Sequence, residues 1–288
     1  MTSLDRHTVL ASDGALLAAY VRRPSEATAP DAPTVVLAHG WTLTHRSWHR
    51  VVDALGDGVR VVLWDQRGHG ESTLAGGRHR SSGESVGRLG QDLREVIAAL
   101  VPDASPLVLA GHSMGGMTVM AYSGTATPEE IDRVRGVVFC STAAGGLRGT
   151  GLPGEQKIMR ALSRLPFRGR PGRLIRDKRQ REYLFGADAR DEDVALTTAL
   201  TGGASLITYG AFYGALMKHD EVAALARLEH TPTTVIVGGR DKLAPKVLAR
   251  RIHEEMPHAQ LKVLDDRGHM VPLEEPEVVV GAIEQYLG

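Results

Sequence analysis

Along most of the chain, short continuous apolar runs alternate with longer stretches whose apolar positions recur at helical spacing. The runs cover residues 34–38, 59–64, 107–110, 134–139, 233–237 and 261–264. They are rich in β-branched residues and do not alternate with polar ones, which predicts strands covered on both faces. Between them, helices are predicted over 47–55, 84–100, 114–124, 244–255 and 276–286. A repeating β-α-β-α order implies an α/β fold with a mostly parallel, doubly wound sheet.

Two intervals depart from this rhythm. Near the N-terminus, apolar stretches flank Ser12-Asp13-Gly14, and Asp-Gly in that setting predicts an antiparallel hairpin over residues 7–21. The segment 22–33, with Pro24, Pro30 and Pro33, reads as an exposed connection. From 145 to 229 no strand is predicted, only Gly- and Pro-punctuated segments of helical character. Roughly 85 residues is too long for a structureless loop in a compact domain. The expected organisation is a core of residues 1–144 and 230–288 with an inserted helical cap at 145–229.

Charge and composition narrow the function classes. Lys plus Arg and Asp plus Glu number 34 each, so no global field is available to hold a nucleic acid or an anionic membrane. The single cysteine, Cys140, cannot form an internal disulfide or a thiolate zinc cluster, which fits a reducing compartment. The first residues lack the apolar stretch of a signal peptide, and no run approaches the ~20 apolar residues that span a bilayer. The expectation is a cytoplasmic protein acting on a small molecule, with no stable membrane insertion and an oligomeric state left open.

The stretch from Leu107 to Gly116 carries the chemistry: an apolar strand, then Gly111-His112-Ser113-Met114-Gly115, then an apolar helix. This is the context of a nucleophile elbow. A serine at so sharp a turn has strained dihedrals, and Gly111 and Gly115 lack the Cβ atoms that would collide there. Ser113 would project at the carboxyl end of the sheet, beside the free N–H groups of the following helix.

A serine hydroxyl needs a hydrogen-bonded base that is itself oriented by a third group. After the run 233–237 comes Gly238-Gly239-Arg240-Asp241, and after 261–264 comes Asp265-Asp266-Arg267-Gly268-His269. Each residue follows a strand end, in the order Ser113, Asp241, His269. Singly, Asp241 reads equally as a helix cap and His269 as a loop histidine; Asp265 and Asp266 are rival acids on the histidine's own loop. Acyl transfer also needs donors where the carbonyl oxygen becomes negative. The elbow pattern assigns these to the backbone N–H groups of Met114 and of Trp41, in the loop opened by His39-Gly40. His39 is expected to fix that loop by hydrogen bonds. The Trp41 indole either lines the acyl pocket or packs beneath the cap.

His39-Gly40-Trp41, the segment from Asp65 to Ser72, Gly111 to Gly116, Asp241 and Gly268-His269 together resemble the α/β-hydrolase superfamily over nearly the whole chain except 145–229. The wording is similar to cofactor-free carboxylesterases, lipase-like hydrolases, bacterial perhydrolases and carbon-carbon bond hydrolases. The resemblance implies that residues 65–72 are structural, so Asp65 and His69 stay outside the site. It also implies a serine hydrolase without metal or organic cofactor, acting on an ester or thioester through an acyl-enzyme. Relatives that attack an alkyl carbon use an aspartate at the elbow; Ser113 points to a carbonyl carbon. Carbon-carbon bond hydrolysis, perhydrolysis and a non-catalytic receptor role on the same fold are the alternatives.

The predicted cap has its own charge pattern. Residues 148–182 hold Arg148, Lys157, Arg160, Arg164, Arg168, Arg170, Arg173, Arg176, Lys178, Arg179 and Arg181 against Glu155, Asp177 and Glu182. A solvated helix face explains this, as does a carboxylate-bearing or coenzyme-linked substrate, or transient contact with anionic lipid. Tyr183, Phe185, Tyr209, Phe212 and Tyr213 are candidate pocket-lining aromatics, and ordinary cap packing explains them equally well.

Overall fold

The computed structural model describes residues 4–25, 32–75, 84–103, 105–147, 155–162 and 169–288. Its strands are β1 (Asp5–Leu10), β2 (Leu16–Arg22), β3 (Thr34–Ala38), β4 (Arg60–Trp64), β5 (Leu107–His112), β6 (Val134–Cys140), β7 (Thr233–Gly238) and β8 (Gln260–Leu264). They form one sheet in the order β1-β2-β4-β3-β5-β6-β7-β8. The hairpin partners β1 and β2 are antiparallel to each other, and β2 is antiparallel to β4; all other pairs are parallel.

The continuous apolar runs have a direct cause. Val36, Val62, Leu109, Val137 and Val235 pack on one face of the sheet, and Val35, Leu37, Val61, Val108 and Ile236 on the other. Successive side chains on a strand point to opposite faces. With both faces covered, every position must be apolar.

The covering helices are α1 (His49–Ala54), α2 (Val86–Leu100), α3 (Met114–Thr125), α4 (Pro128–Asp132), then α5 (Glu155–Leu162), α6 (Asp177–Leu184), α7 (Asp191–Gly203), α8 (Leu206–Leu216) and α9 (Val222–Leu225) between β6 and β7. After β7 come α10 (Lys246–Glu255), α11 (Val271–Glu274) and α12 (Pro276–Glu284). Ser85 caps α2 by accepting from Arg88 N at 3.1 Å, and Thr127 with Glu130 forms a capping box on α4. Helix α3 is apolar all round because it is buried all round. The segment between β6 and β7 contains no strand among the described residues.

The four-residue α11 and five-residue α4 escape the periodicity reading, since one turn displays no period. Helix α1 starts later than expected because Thr44 caps a 3₁₀ turn over His45–Trp48 ahead of it.

Topology fixes where a site can form. Chain order reverses between β3, which neighbours β4 on one side, and β5 on the other. A crevice opens outside the carboxyl ends of strands at such a switch point. The pairing Ala38↔Gly111 sets the loop after β3 directly beside the turn after β5.

Candidate active site

Ser113 stands between β5 and α3 with φ 53° and ψ −117°, a conformation that an L-residue adopts only under constraint. The constraint is close packing. A Cβ on Gly111 would lie 2.5 Å from the Gly115 carbonyl carbon across the turn, as the spacing predicts. A Cβ on Gly115 would lie 2.0 Å from the Ala38 carbonyl oxygen, so this glycine serves the approach of β3 rather than the turn itself. Ser113 N donates to the Cys140 carbonyl at 2.9 Å, and Thr142 Oγ1 donates to the Ser113 carbonyl at 2.7 Å. Met114, the first residue of α3, has an N–H with no acceptor inside the helix.

The loop after β3 is tied down by His39, as expected. Gln66 N donates to His39 Nε2 at 2.9 Å, which leaves the ring proton on Nδ1. That nitrogen donates to the Gly40 carbonyl at 2.7 Å, which also accepts from Leu43 N at 3.2 Å. The Gly40–Trp41 peptide is trans, so its N–H points away from its carbonyl and hence away from His39 and Leu43. Gln66 Nε2 donates to the His39 carbonyl, and Thr118 Oγ1 of α3 donates to Gln66 Oε1 at 2.6 Å. Burial, opposed by Asp65 and by the Gly40 carbonyl, holds the His39 imidazole down at about 4, so it is neutral.

On the far side, Asp241 Oδ2 lies 2.8 Å from His269 Nδ1, and both side chains are buried. Asp241 Oδ1 accepts from Leu243 N at 2.8 Å and Ala244 N at 2.9 Å. These two donors lie in the loop before α10, whose N-cap is Pro245 without a side-chain bond, so Asp241 closes a turn with one oxygen and meets the histidine with the other instead of capping the helix. Burial pushes this carboxyl up, but the neighbouring His269 and the two N–H groups outweigh it and leave it below the ordinary range. The rival acids Asp265 and Asp266 are exposed, and Asp266 pairs with Arg240.

Ser113 and His269 open on one cavity of about 340 Å³. Among the described residues no hydrogen bond joins Ser113 Oγ to His269 Nε2, a link that commonly tightens only with substrate bound. The cavity wall is mainly apolar, with Trp41, Met117, Leu147, Met159, Leu216 and Met217 on it; Lys242 is the one Lys or Arg among its described residues. Tyr183, Tyr209 and Tyr213 line it as expected. Phe185 and Phe212 do not: Phe185 packs with Leu43 and Met270, and Phe212 lies against His69. Trp41 lines the cavity, and its indole donates to the Thr208 carbonyl of α8 at 3.5 Å, so both readings of that ring apply.

Of the basic residues predicted to colour the cap, Lys157, Arg170, Arg176, Lys178 and Arg179 are exposed, and Arg181 pairs with Asp191. The side chains of Arg148, Arg160, Arg164, Arg168 and Arg173 lie outside the described residues. Asp65 and His69 are structural: Asp65 accepts from His45 N at 2.9 Å and Glu71 N at 3.0 Å, and His69 Nδ1 donates to the Arg67 carbonyl. Among the described residues no group of His, Cys, Asp and Glu is arranged to hold a metal, and no helix is long and apolar enough to cross a membrane.

Three supporting residues were not singled out by the sequence. Gln66 and Thr142 bond the candidate oxyanion loop and the elbow, and Glu274 bonds the backbone on both sides of His269. The one available signal was Glu274's position, five residues past the histidine at the end of α11.

The chain is 27% identical over 265 residues to the pimeloyl-[acyl-carrier protein] methyl ester esterase of Xanthomonas campestris pv. campestris, covering 88% of this chain and 95% of that protein. It superposes on a thermophilic esterase from Thermogutta terrifontis with a TM-score of 0.77 at 24% identity, covering 98% of both chains. The enol-lactonase of Burkholderia xenovorans LB400 gives 0.78 at 20% identity, covering 98% of this chain and 99% of that one. With residues 35–282 matching the family pattern as a whole, the chain belongs to the alpha/beta hydrolase family.

Proposed function

We propose that the protein is a serine esterase that cleaves a carboxylic ester through Ser113, His269 and Asp241. The observation that carries this reading is the 2.8 Å bond from His269 Nδ1 to Asp241 Oδ2 at the cavity on which Ser113 also opens. With its proton pinned on Nδ1 by the carboxylate, the imidazole presents an unprotonated Nε2 to take the Ser113 proton. The serine oxygen attacks the ester carbonyl, and the Met114 and Trp41 N–H groups receive the developing oxyanion. His269 then returns the proton to the leaving alcohol. Water, deprotonated by the same nitrogen, cleaves the acyl-enzyme to the acid and restores the serine.

The mostly apolar cavity suits a small or medium-sized acyl group, and the helical segment 145–229 acts as the cap that shapes it. The Xanthomonas relative, named for a methyl ester, supports ester over carbon-carbon or peroxide chemistry. A single buried thiol, Cys140, fits a reducing cytoplasmic setting.

The test is turnover of p-nitrophenyl esters of graded length by wild type and Ser113→Ala. The variant should lose several orders of magnitude in kcat, on the order of 10⁴-fold or more. Ester turnover that survives the substitution, or wild-type protein that Ser113-directed fluorophosphonate leaves unlabelled, would refute the reading.

A further inference from the structure

His269 is held by its backbone as well as by Asp241. Its N–H donates to the Leu184 carbonyl at 2.7 Å, and its own carbonyl accepts from His112 Nε2 at 2.8 Å. The residues on either side are held by one carboxylate. Glu274 Oε1 accepts from Met270 N at 3.1 Å and Gly268 N at 3.0 Å; Glu274 Oε2 accepts from Gly268 N at 3.1 Å and Gly186 N at 2.7 Å.

The third of these donors, Gly186, belongs to the segment between β6 and β7, and so does Leu184, which lines the cavity. Residues 184–187 and 266–270 are in direct contact. A Cβ on Gly268 would lie 2.5 Å from the Phe185 carbonyl carbon, and Ala187 N donates to the Asp266 carbonyl at 2.8 Å. One carboxylate therefore joins the histidine's loop to the wall against which a substrate would lie.

A carboxylate suits this place for a chemical reason. It offers two acceptor oxygens and no donor, so all three N–H groups are satisfied at once. Burial raises the Glu274 carboxyl above its ordinary range, against the pull of these N–H groups and of Arg267. An ion kept where burial disfavours it is kept for its bonds.

We propose that Glu274 is a positioning residue for His269: by gripping the peptide groups on both sides of the histidine together with Gly186, it holds the imidazole in register with Asp241 and ties that register to the cavity wall. The proposal rests on the serine esterase reading. Glu274 touches no reacting atom and acts through His269.

The experiment compares p-nitrophenyl ester kinetics, per mole of folded protein by circular dichroism, for wild type, Glu274→Gln, His269→Ala and the double variant. In Glu274→Gln an amide NH₂ replaces one oxygen and faces a backbone N–H, which breaks the grip at one end with the size preserved. A misplacement of about 1 Å costs up to about 10²-fold, so kcat should fall by about 10- to 100-fold with KM within about twofold. In the His269→Ala background the same substitution should cost nothing further. Wild-type kcat in Glu274→Gln overturns the proposal. So does an equal loss in both backgrounds, because a general structural role would act with or without the histidine. If Glu274→Gln fails to fold, Glu274→Asp, which keeps the charge and shortens the arm, is read by the same two comparisons. Should His269→Ala and Ser113→Ala both turn over like wild type, the esterase reading fails whatever Glu274 does. If both are inactive and Glu274→Gln is not impaired, only the role of Glu274 falls.

Discussion

Asp241 Oδ2 is bonded to His269 Nδ1 at 2.8 Å while Oδ1 of the same carboxylate serves Leu243 N and Ala244 N. This division makes Asp241→Asn an informative substitution. The amide oxygen must take the Oδ1 place to satisfy the two backbone donors, so the NH₂ faces His269. The imidazole then has to accept at Nδ1 and carry its proton on Nε2, the wrong tautomer for deprotonating Ser113. On the proposed mechanism kcat should fall on the order of 10⁴-fold, while the melting temperature falls less than in Asp241→Ala because the two backbone donors stay bonded. Asp241→Ala should lose both activity and stability. Since the folded carboxyl sits below its ordinary range, its stabilisation is present above the unfolded pKa and is lost as pH falls through the folded value. The asparagine variant should therefore show a shallower acid limb in urea unfolding.

Ser113→Gly separates strain from chemistry. The serine occupies φ 53°, where glycine carries no Cβ penalty. Relief of strain of about 1–3 kcal/mol, less the extra unfolded-state entropy of glycine, should leave the variant about 1 kcal/mol more stable. Calorimetry should then record a melting temperature roughly 2 °C higher with no ester turnover. A lower melting temperature would mean that the turn is not strained at this residue.

On the proposed mechanism, His39 bears on rate rather than affinity. Its ring holds the Gly40 carbonyl, and so the direction of the Trp41 N–H, from behind the cavity wall, which Gly40 lines and His39 does not. Loss of one oxyanion donor costs on the order of 10²- to 10³-fold in kcat, and His39→Leu should fall in that range with KM nearly unchanged. The substitution also strands the buried Gln66 N–H, at about 1–3 kcal/mol of stability. A KM effect in place of a kcat effect would show that the loop binds ground-state substrate instead.

The sheet was legible in the sequence because burial on both faces forces unbroken apolar runs such as 34–38 and 107–110. Ser113, Asp241 and His269 are candidates legible in the sequence because each follows a strand end, and parallel topology delivers all such ends to one edge. What the sequence could not display was the support around them. Gln66 reaches His39, and Glu274 reaches Gly186, 88 positions away, through backbone N–H groups that every residue type but proline possesses. For Phe185 and Phe212 the sequence leaves pocket lining and ordinary packing equally open for a related reason: composition marks them as apolar, but only packing decides whether an aromatic ring faces a cavity or a neighbouring side chain.

Acid stability should report the buried histidines. Burial depresses His39 to about 4, and His69 and His112 to about 3, each fully enclosed in the folded protein. Unfolded, each titrates near 6.5. Between the two values the unfolded chain binds more protons, so stability falls as pH drops, by roughly 1.4 kcal/mol per pH unit for each histidine. Glu221 opposes one of the three: burial, with help from Asp220, raises its carboxyl to about 7, so in this window the folded state holds a proton that the unfolded state releases. Glu274 and Asp92, whose carboxyls burial also raises, oppose the histidines in the same sense, so urea unfolding between pH 6 and 4.5 should lose stability less steeply than the three histidines alone dictate. His69 offers the control. It lies outside the cavity, its Nε2 is buried without a partner, and its ring packs on Phe212. His69→Phe should flatten the slope by about one proton. An unchanged slope would show that the His69 imidazole is not held neutral in the folded state.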